Sequence, residues 1–153
     1  NLSEKILCFP IGISNKTKLT KLHMNNFTPG NSHNTVGEFA LGDNLKKTKS
    51  FFSQGIFSST LDDLCFKWDL PIPSYIKIDV DGIEHQIINE SKKIFENDNV
   101  KSLLVEINEN RNEDLSIIKF LKKNGYRFDK DQVDKARTRN GTFKGYAEYL
   151  FYK

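Results

Sequence analysis

Apolar and polar positions fall into two regimes along the chain. Up to about residue 50 the patterns are short and interrupted. Residues 5–13 (KILCFPIGI) form an apolar run that predicts a strand ending in a glycine-containing turn. Residues 18–24 (KLTKLHM) alternate apolar and polar, the mark of an exposed strand. Residues 25–34 are rich in Asn, Gly, Pro and Ser and predict a loop. Residues 36–50 carry no clear period, and Gly37, Gly42 and Asp43 break any long element.

Longer periods begin at Thr60. Residues 60–68 predict a helix with Thr60 as its cap and Asp62 and Asp63 in the first turn, where negative charge suits the helix dipole. Leu61, Leu64, Cys65 and Trp68 share one face, and Pro71 and Pro73 end the helix. Residues 75–80 (YIKIDV) predict a strand and Gly82 a turn. Residues 83–97 then predict one helix, with Ile83, Ile87, Ile88, Ser91 and Phe95 at helical spacing. Residues 100–108 predict the next strand. Residues 115–123 predict an amphipathic helix stopped by Asn124 and Gly125. Residues 126–129 and 148–152 predict two last strands. Strands alternating with helices imply a mostly parallel sheet covered on both faces, with an antiparallel pair at one edge.

Composition narrows the function classes. The 153 residues suit one domain, long enough to bury roughly 70% of the unfolded surface. The 23 basic and 20 acidic residues leave a net charge of +3, too balanced for a nucleic-acid partner. No apolar stretch approaches the roughly 20 residues that span a bilayer, so no membrane partner is expected. Cys8 and Cys65 lie far apart with no metal-ligand spacing, which fits thiols in a reducing, cytoplasmic setting.

Ligands of open α/β sheets sit beyond the carboxyl ends of the strands. There the chain concentrates acidic residues: Asp79, Asp81 and Glu84 after one strand, Glu106 in the next. Lys77, Asp79 and Asp81 share a strand face that a doubly covered sheet would make apolar. One reading is an ion pair, Lys77–Asp79 or Lys77–Glu106, that closes the strand end. The other is a pocket in which Lys77 is a base or a hydroxyl-orienting donor and Asp79 positions acceptor or cofactor. Asp81 and Glu84 also suit a helix N-terminus. Asp79-Val80-Asp81 resembles the metal-binding DxD of nucleotide-sugar glycosyltransferases, a weak pattern alone. Gly82 stands at the fourth position, which excludes an EF-hand, and no metal is expected. His85 reads as exposed, His23 and His33 carry little weight, and Trp68 reads as a core or cap residue.

Three segments in order decide between these readings: Thr60-Leu61-Asp62-Asp63-Leu64, residues 75–84 (YIKIDVDGIE), and Leu104-Val105-Glu106-Ile107. Together they resemble the FkbM family of methyltransferases, whose pattern is a TLDDL-like helix, an IKIDVEG-x-E turn and an LLxEI-like strand. Asn124-Gly125-Tyr126 matches the family's later GY. Asp81 departs from the pattern, standing where the family usually has Glu. The resemblance implies a Rossmann-like class I methyltransferase fold with S-adenosylmethionine as methyl donor. It implies O-methylation of a hydroxyl on a small-molecule or carbohydrate acceptor. It assigns Asp79, Lys77 and Glu106 to catalysis, and Asp79, Gly12, Ser14, Asp81 and Glu84 to the cofactor.

The family's glycine-rich cofactor turn and its ribose-binding carboxylate have no match in residues 1–153. The chain is therefore expected to start just before the family's third strand. Its sheet edge would then be covered by an upstream segment or a second copy. S-adenosylmethionine is expected to bind these residues alone weakly or not at all. Two alternatives stay open: a metal-dependent glycosyltransferase using Asp79 and Asp81, and a non-catalytic interaction module that kept the fold.

Overall fold

A computed structural model of the chain describes residues 4–29, 34–41, 46–80 and 82–153. Six strands precede the first helix among them: β1 (Gly12–Ile13), β2 (Lys18–Met24), β3 (Thr35–Gly37), β4 (Ala40–Leu41), β5 (Lys47–Thr48) and β6 (Phe52–Ser59). Then come α1 (Leu61–Phe66), β7 (Tyr75–Ile78), α2 (Glu84–Asn89), α3 (Lys92–Glu96) and β8 (Ser102–Asn108). The chain closes with α4 (Asn112–Lys123), α5 (Lys130–Ala136) and β9 (Tyr146–Tyr152).

The first sheet runs β1-β6-β2-β3, with β1 parallel to β6 and β2 antiparallel to both β6 and β3. Its spine is the β2–β6 ladder, from Lys18 opposite Ser58 to Met24 opposite Phe52. β2 lies where its alternation predicts, with Leu19 exposed and His23 turned inward. β6 escaped the sequence pattern because its apolar residues, Phe52, Ile56 and Phe57, do not alternate: three polar or glycine positions follow Phe52, and Ile56 and Phe57 are adjacent. Pairing with β2, not burial of one face, makes it a strand.

The strand expected over residues 5–13 shrinks to β1. Only Gly12 and Ile13 reach a partner, opposite Ser58 and Ser59. Pro10 has no N–H to give to a ladder, and Ile6 and Leu7 remain exposed. A Cβ at Gly12 would lie 2.9 Å from Ile56 Cδ1 and 3.0 Å from Val36 Cγ1, so a larger residue there would make those side chains shift.

The second sheet runs β7-β8-β9, with β7 parallel and β9 antiparallel to β8. It is mixed, as the element order implies. Leu103, Val105 and Ile107 of β8 share a face with Phe151, Tyr149 and Ala147 of β9. That face is fully buried against Ile87, Ile88, Ile94, Phe95, Ile117 and Leu121 of α2, α3 and α4. The opposite face presents Tyr75, Lys77, Glu148, Leu150 and Tyr152, all exposed. The expectation of cover on both faces therefore fails at these positions.

The helix expected over residues 83–97 is two helices, α2 and α3. The break has a cause. Buried Ser91 turns its Oγ to accept the Leu61 N–H at 3.0 Å. Asp62 accepts the N–H groups of Lys93 (3.2 Å) and Ile94 (2.9 Å), which start α3. α1 ends at Phe66 and is capped by Thr60, whose Oγ1 accepts the Asp63 N–H at 3.0 Å. Gly125, at φ +84°, stops α4.

The strand expected over residues 126–129 is a single antiparallel pair, Arg127 with Tyr152. α5 escaped detection because Val133 is the one large apolar side chain in KDQVDKA. Asp129 caps it, accepting the Asp131 N–H at 2.8 Å.

Candidate functional site

β7 carries the site because alternation sends Ile78 into the core and Lys77 to the open face. Just past the strand, Asp79 Oδ2 meets Lys77 Nζ at 2.8 Å. Both side chains are more than half exposed, so solvent screens the pair and it adds little to stability. The Asp79 carboxylate, first as hydrogen-bond acceptor and then as charge, raises the Lys77 ammonium above its usual range. Glu106 sits half-buried on the same face: Lys77 lies opposite Leu104, two residues before Glu106, and Glu106 lies opposite Glu148. Of the two ion pairs weighed from sequence, Lys77–Asp79 is the one formed.

Asp81 lies outside the described residues. Gly82 follows at φ +89°, and its N–H bonds back to Val80 O at 2.7 Å in a tight turn. Glu84 then opens α2 and is 3% exposed. Its Oε1 accepts the Gly82 N–H at 3.4 Å. Burial, reinforced by Asp114 and Glu106, pushes its carboxyl from 4.5 up to about 7.

Residues beyond the sequence reading tie this turn to α4. Arg111 NH2 donates to Gly82 O and NH1 to the Tyr146 hydroxyl, both at 3.4 Å. Asp114, 1% exposed, holds Arg111 at 3.5 Å and accepts the Asn108 N–H at 3.0 Å. Among the described residues its other oxygen, Oδ1, has no hydrogen-bond partner, nor has His85 Nδ1. Burial raises the Asp114 carboxyl and lowers the His85 imidazole. His85 is thus half-buried rather than exposed. The one signal available in the sequence was Asp114 in the first turn of α4, three residues after Arg111.

Ile13, not Gly12 or Ser14, reaches the Asp79 end of β7. Ser14 is buried, its N–H bonded to Ser59 O at 3.0 Å and its Oγ to Asn15 Oδ1 at 3.4 Å. A trough of about 240 Å³ runs beside β7, lined by Ile13, Leu61, Ile76, Ile78, Val80 and Ile87 with Lys77 and Asp79. An apolar trough with one ion pair among its lining can take a flat apolar ring and a charged group together.

Other candidates serve the scaffold. His23 Nδ1 contacts Ser53 Oγ at 3.0 Å and Nε2 contacts Gly37 O at 3.1 Å, pinning β2 to its neighbours. His33 lies outside the described residues. Trp68 is neither core nor cap: it is 47% exposed and stacks on Phe57 at 5.1 Å. Both cysteines are free thiols. Among the described residues no three His, Cys, Asp or Glu side chains gather as metal ligands. No helix among them is long and apolar enough to cross a membrane.

Searches among curated proteins and among solved structures returned no match. Residues 2–128 match the methyltransferase FkbM domain, and that span includes Lys77, Asp79, Glu84, Glu106 and the Arg111–Asp114 brace. With well over half of its length matched, the chain belongs to the FkbM methyltransferase domain family.

Proposed function

We propose that the β7 trough is part of the site of an S-adenosylmethionine-dependent O-methyltransferase acting on a hydroxyl of a sugar or other natural product. The observation that carries the reading is Asp79, held by Lys77 at the carboxyl end of β7 where it lines an apolar trough. The residues present suit the cofactor: apolar side chains for its ring system and a carboxylate for its positive charge. Ile13, Val80 and Asp79 would hold it. When bound, S-adenosylmethionine supplies an electrophilic methyl group on a sulfonium.

The chain's own residues do the rest. Lys77 stays protonated because Asp79 raises it, so it orients the acceptor oxygen as a donor. Asp79 takes the hydroxyl proton, which a weak nucleophile must lose during methylation. Glu148, exposed on the same face as Lys77, adds negative potential that helps keep the ammonium charged, and Glu106 lies opposite it on β8. The Arg111–Gly82–Glu84 links hold the turn so that Asp79 does not drift.

Nuclear magnetic resonance with S-adenosylhomocysteine tests this. The expected dissociation constant is about 1 mM, a binding free energy of about −4 kcal/mol. The amides of Ile13, Asp79, Val80, Gly82 and Ile83 should shift, and Asp79→Ala should abolish the response. A folded chain in which millimolar ligand shifts none of them overturns the reading.

A further inference from the structure

A second chamber lies beyond the trough. It holds about 300 Å³ and is walled by β2, β3, the segment joining β1 to β2, and α2. A small cavity of about 90 Å³ lies between the two and shares wall residues with each. Ile13 and Val80 line both trough and cavity, and Val36 and Ile83 line both cavity and chamber. Four apolar side chains therefore form the neck between Asp79 and the chamber.

The chamber's chemistry differs from the trough's. Asn15 Nδ2 donates to Gln86 Oε1 at 3.1 Å, and among the described residues the Gln86 amide N–H groups have no hydrogen-bond partner. Were the two amides flipped as a pair, the free N–H groups would be those of Asn15, which lines the same chamber. Lys18 is committed to Glu38, whose carboxyl it holds below the usual range. The Lys16 ammonium enters no ion pair among the described residues. Two lysines against one glutamate leave the lining positive. Phe39 adds an exposed ring, with Lys47 Nζ 3.5 Å from its centroid. Unspent donors and net positive charge suit oxygen-rich anionic ligands.

We propose that this chamber binds the acceptor, and that the acceptor is a hydroxylated molecule carrying an acidic group, held by Lys16 and the Asn15–Gln86 amides. The proposal rests on the methyl-transfer reading and deepens it. The acidic group sits in the chamber, and the apolar neck passes the rest of the molecule toward Asp79.

D-glucuronate and D-glucose, titrated separately into the chain and followed by amide shifts, test it. Glucuronate should shift Asn15, Lys16 and Gln86. Lys16→Ala should weaken it roughly tenfold, the effect of one lost charge-assisted hydrogen bond. Lys16 is exposed, so this variant folds as the parent does. Glucose should bind markedly more weakly. Asp79→Ala should remove the response to S-adenosylhomocysteine. Glucuronate shifts elsewhere, equal binding of the two sugars, or indifference to Lys16→Ala would each overturn the chamber. A chain that responds to S-adenosylhomocysteine but to neither sugar loses the chamber and keeps the trough. One that takes glucuronate here but never S-adenosylhomocysteine loses the acceptor role together with the methyl-transfer reading.

Discussion

The two edges of the β7-β8-β9 sheet are finished in opposite ways. At the β9 edge, Arg127 and Tyr152 exchange both backbone hydrogen bonds at 2.9 Å. Further along, the Gln132 amide stands in for a strand, donating to Glu148 O at 3.0 Å and accepting the Leu150 N–H at 3.3 Å. At the other edge, β7 pairs with β8 alone among the described residues, and its far side borders the trough. An open edge is ordinarily a liability. Here the edge that stays open is the one whose strand leads to Asp79.

The largest expected effect falls on the core that both edges share. Phe151 and Ile117 are fully buried. Phe151→Ala or Ile117→Ala should each cost about 3–5 kcal/mol, read as a shifted denaturation midpoint. A loss below 1 kcal/mol would mean that this face is not the core.

The next effect belongs to the turn beside the open edge. Glu84 holds its proton more tightly when folded, at about 7, than at its ordinary 4.5. The folded state therefore binds more protons across that interval, and stability falls as pH rises from 4.5 to 7. Above it, the ionised carboxylate costs about 3 kcal/mol, a cost that Glu84→Gln removes. The variant should match the parent near pH 4 and exceed it at pH 8. Parallel stability curves would contradict this.

Smaller effects separate the edges themselves. Gln132→Ala should cost about 1 kcal/mol, one side chain's hydrogen bonds at the covered edge. Hydrogen exchange should quicken at Leu150 and leave Ile78 unchanged. Lys77→Ala, at the open edge, should leave the denaturation midpoint nearly unchanged, because the ion pair is exposed. The same variant should weaken the response to S-adenosylhomocysteine. A variant that loses stability but keeps the response would make Lys77 a strand residue and nothing more.

The contrast also explains what the sequence disclosed. β8, α4 and the β7 motif were legible because their apolar residues repeat at one period and face one core. The proposed site residues on β7 were legible because Lys77 and Asp79 interrupt a strand that otherwise reads apolar. The break between α2 and α3 was not, since it depends on Ser91 and Asp62 meeting groups some thirty positions away. β6 and α5 were hidden because a ladder and a side-chain amide hold them, and neither leaves a period. The Arg111–Asp114 brace was hidden for the same reason: its partner, Gly82 O, is a backbone atom.

Photolabelling tests the central claim most directly. Ultraviolet irradiation of the chain with methyl-tritiated S-adenosylmethionine, followed by trypsin, should place the label on the peptide 78–92, which carries Asp79, Val80 and Ile83. Excess S-adenosylhomocysteine should suppress that labelling, and Asp79→Ala should remove it. Label only on peptides that carry no trough residue, or label indifferent to competitor, would mean that the β7 trough is not where this family member meets its methyl donor.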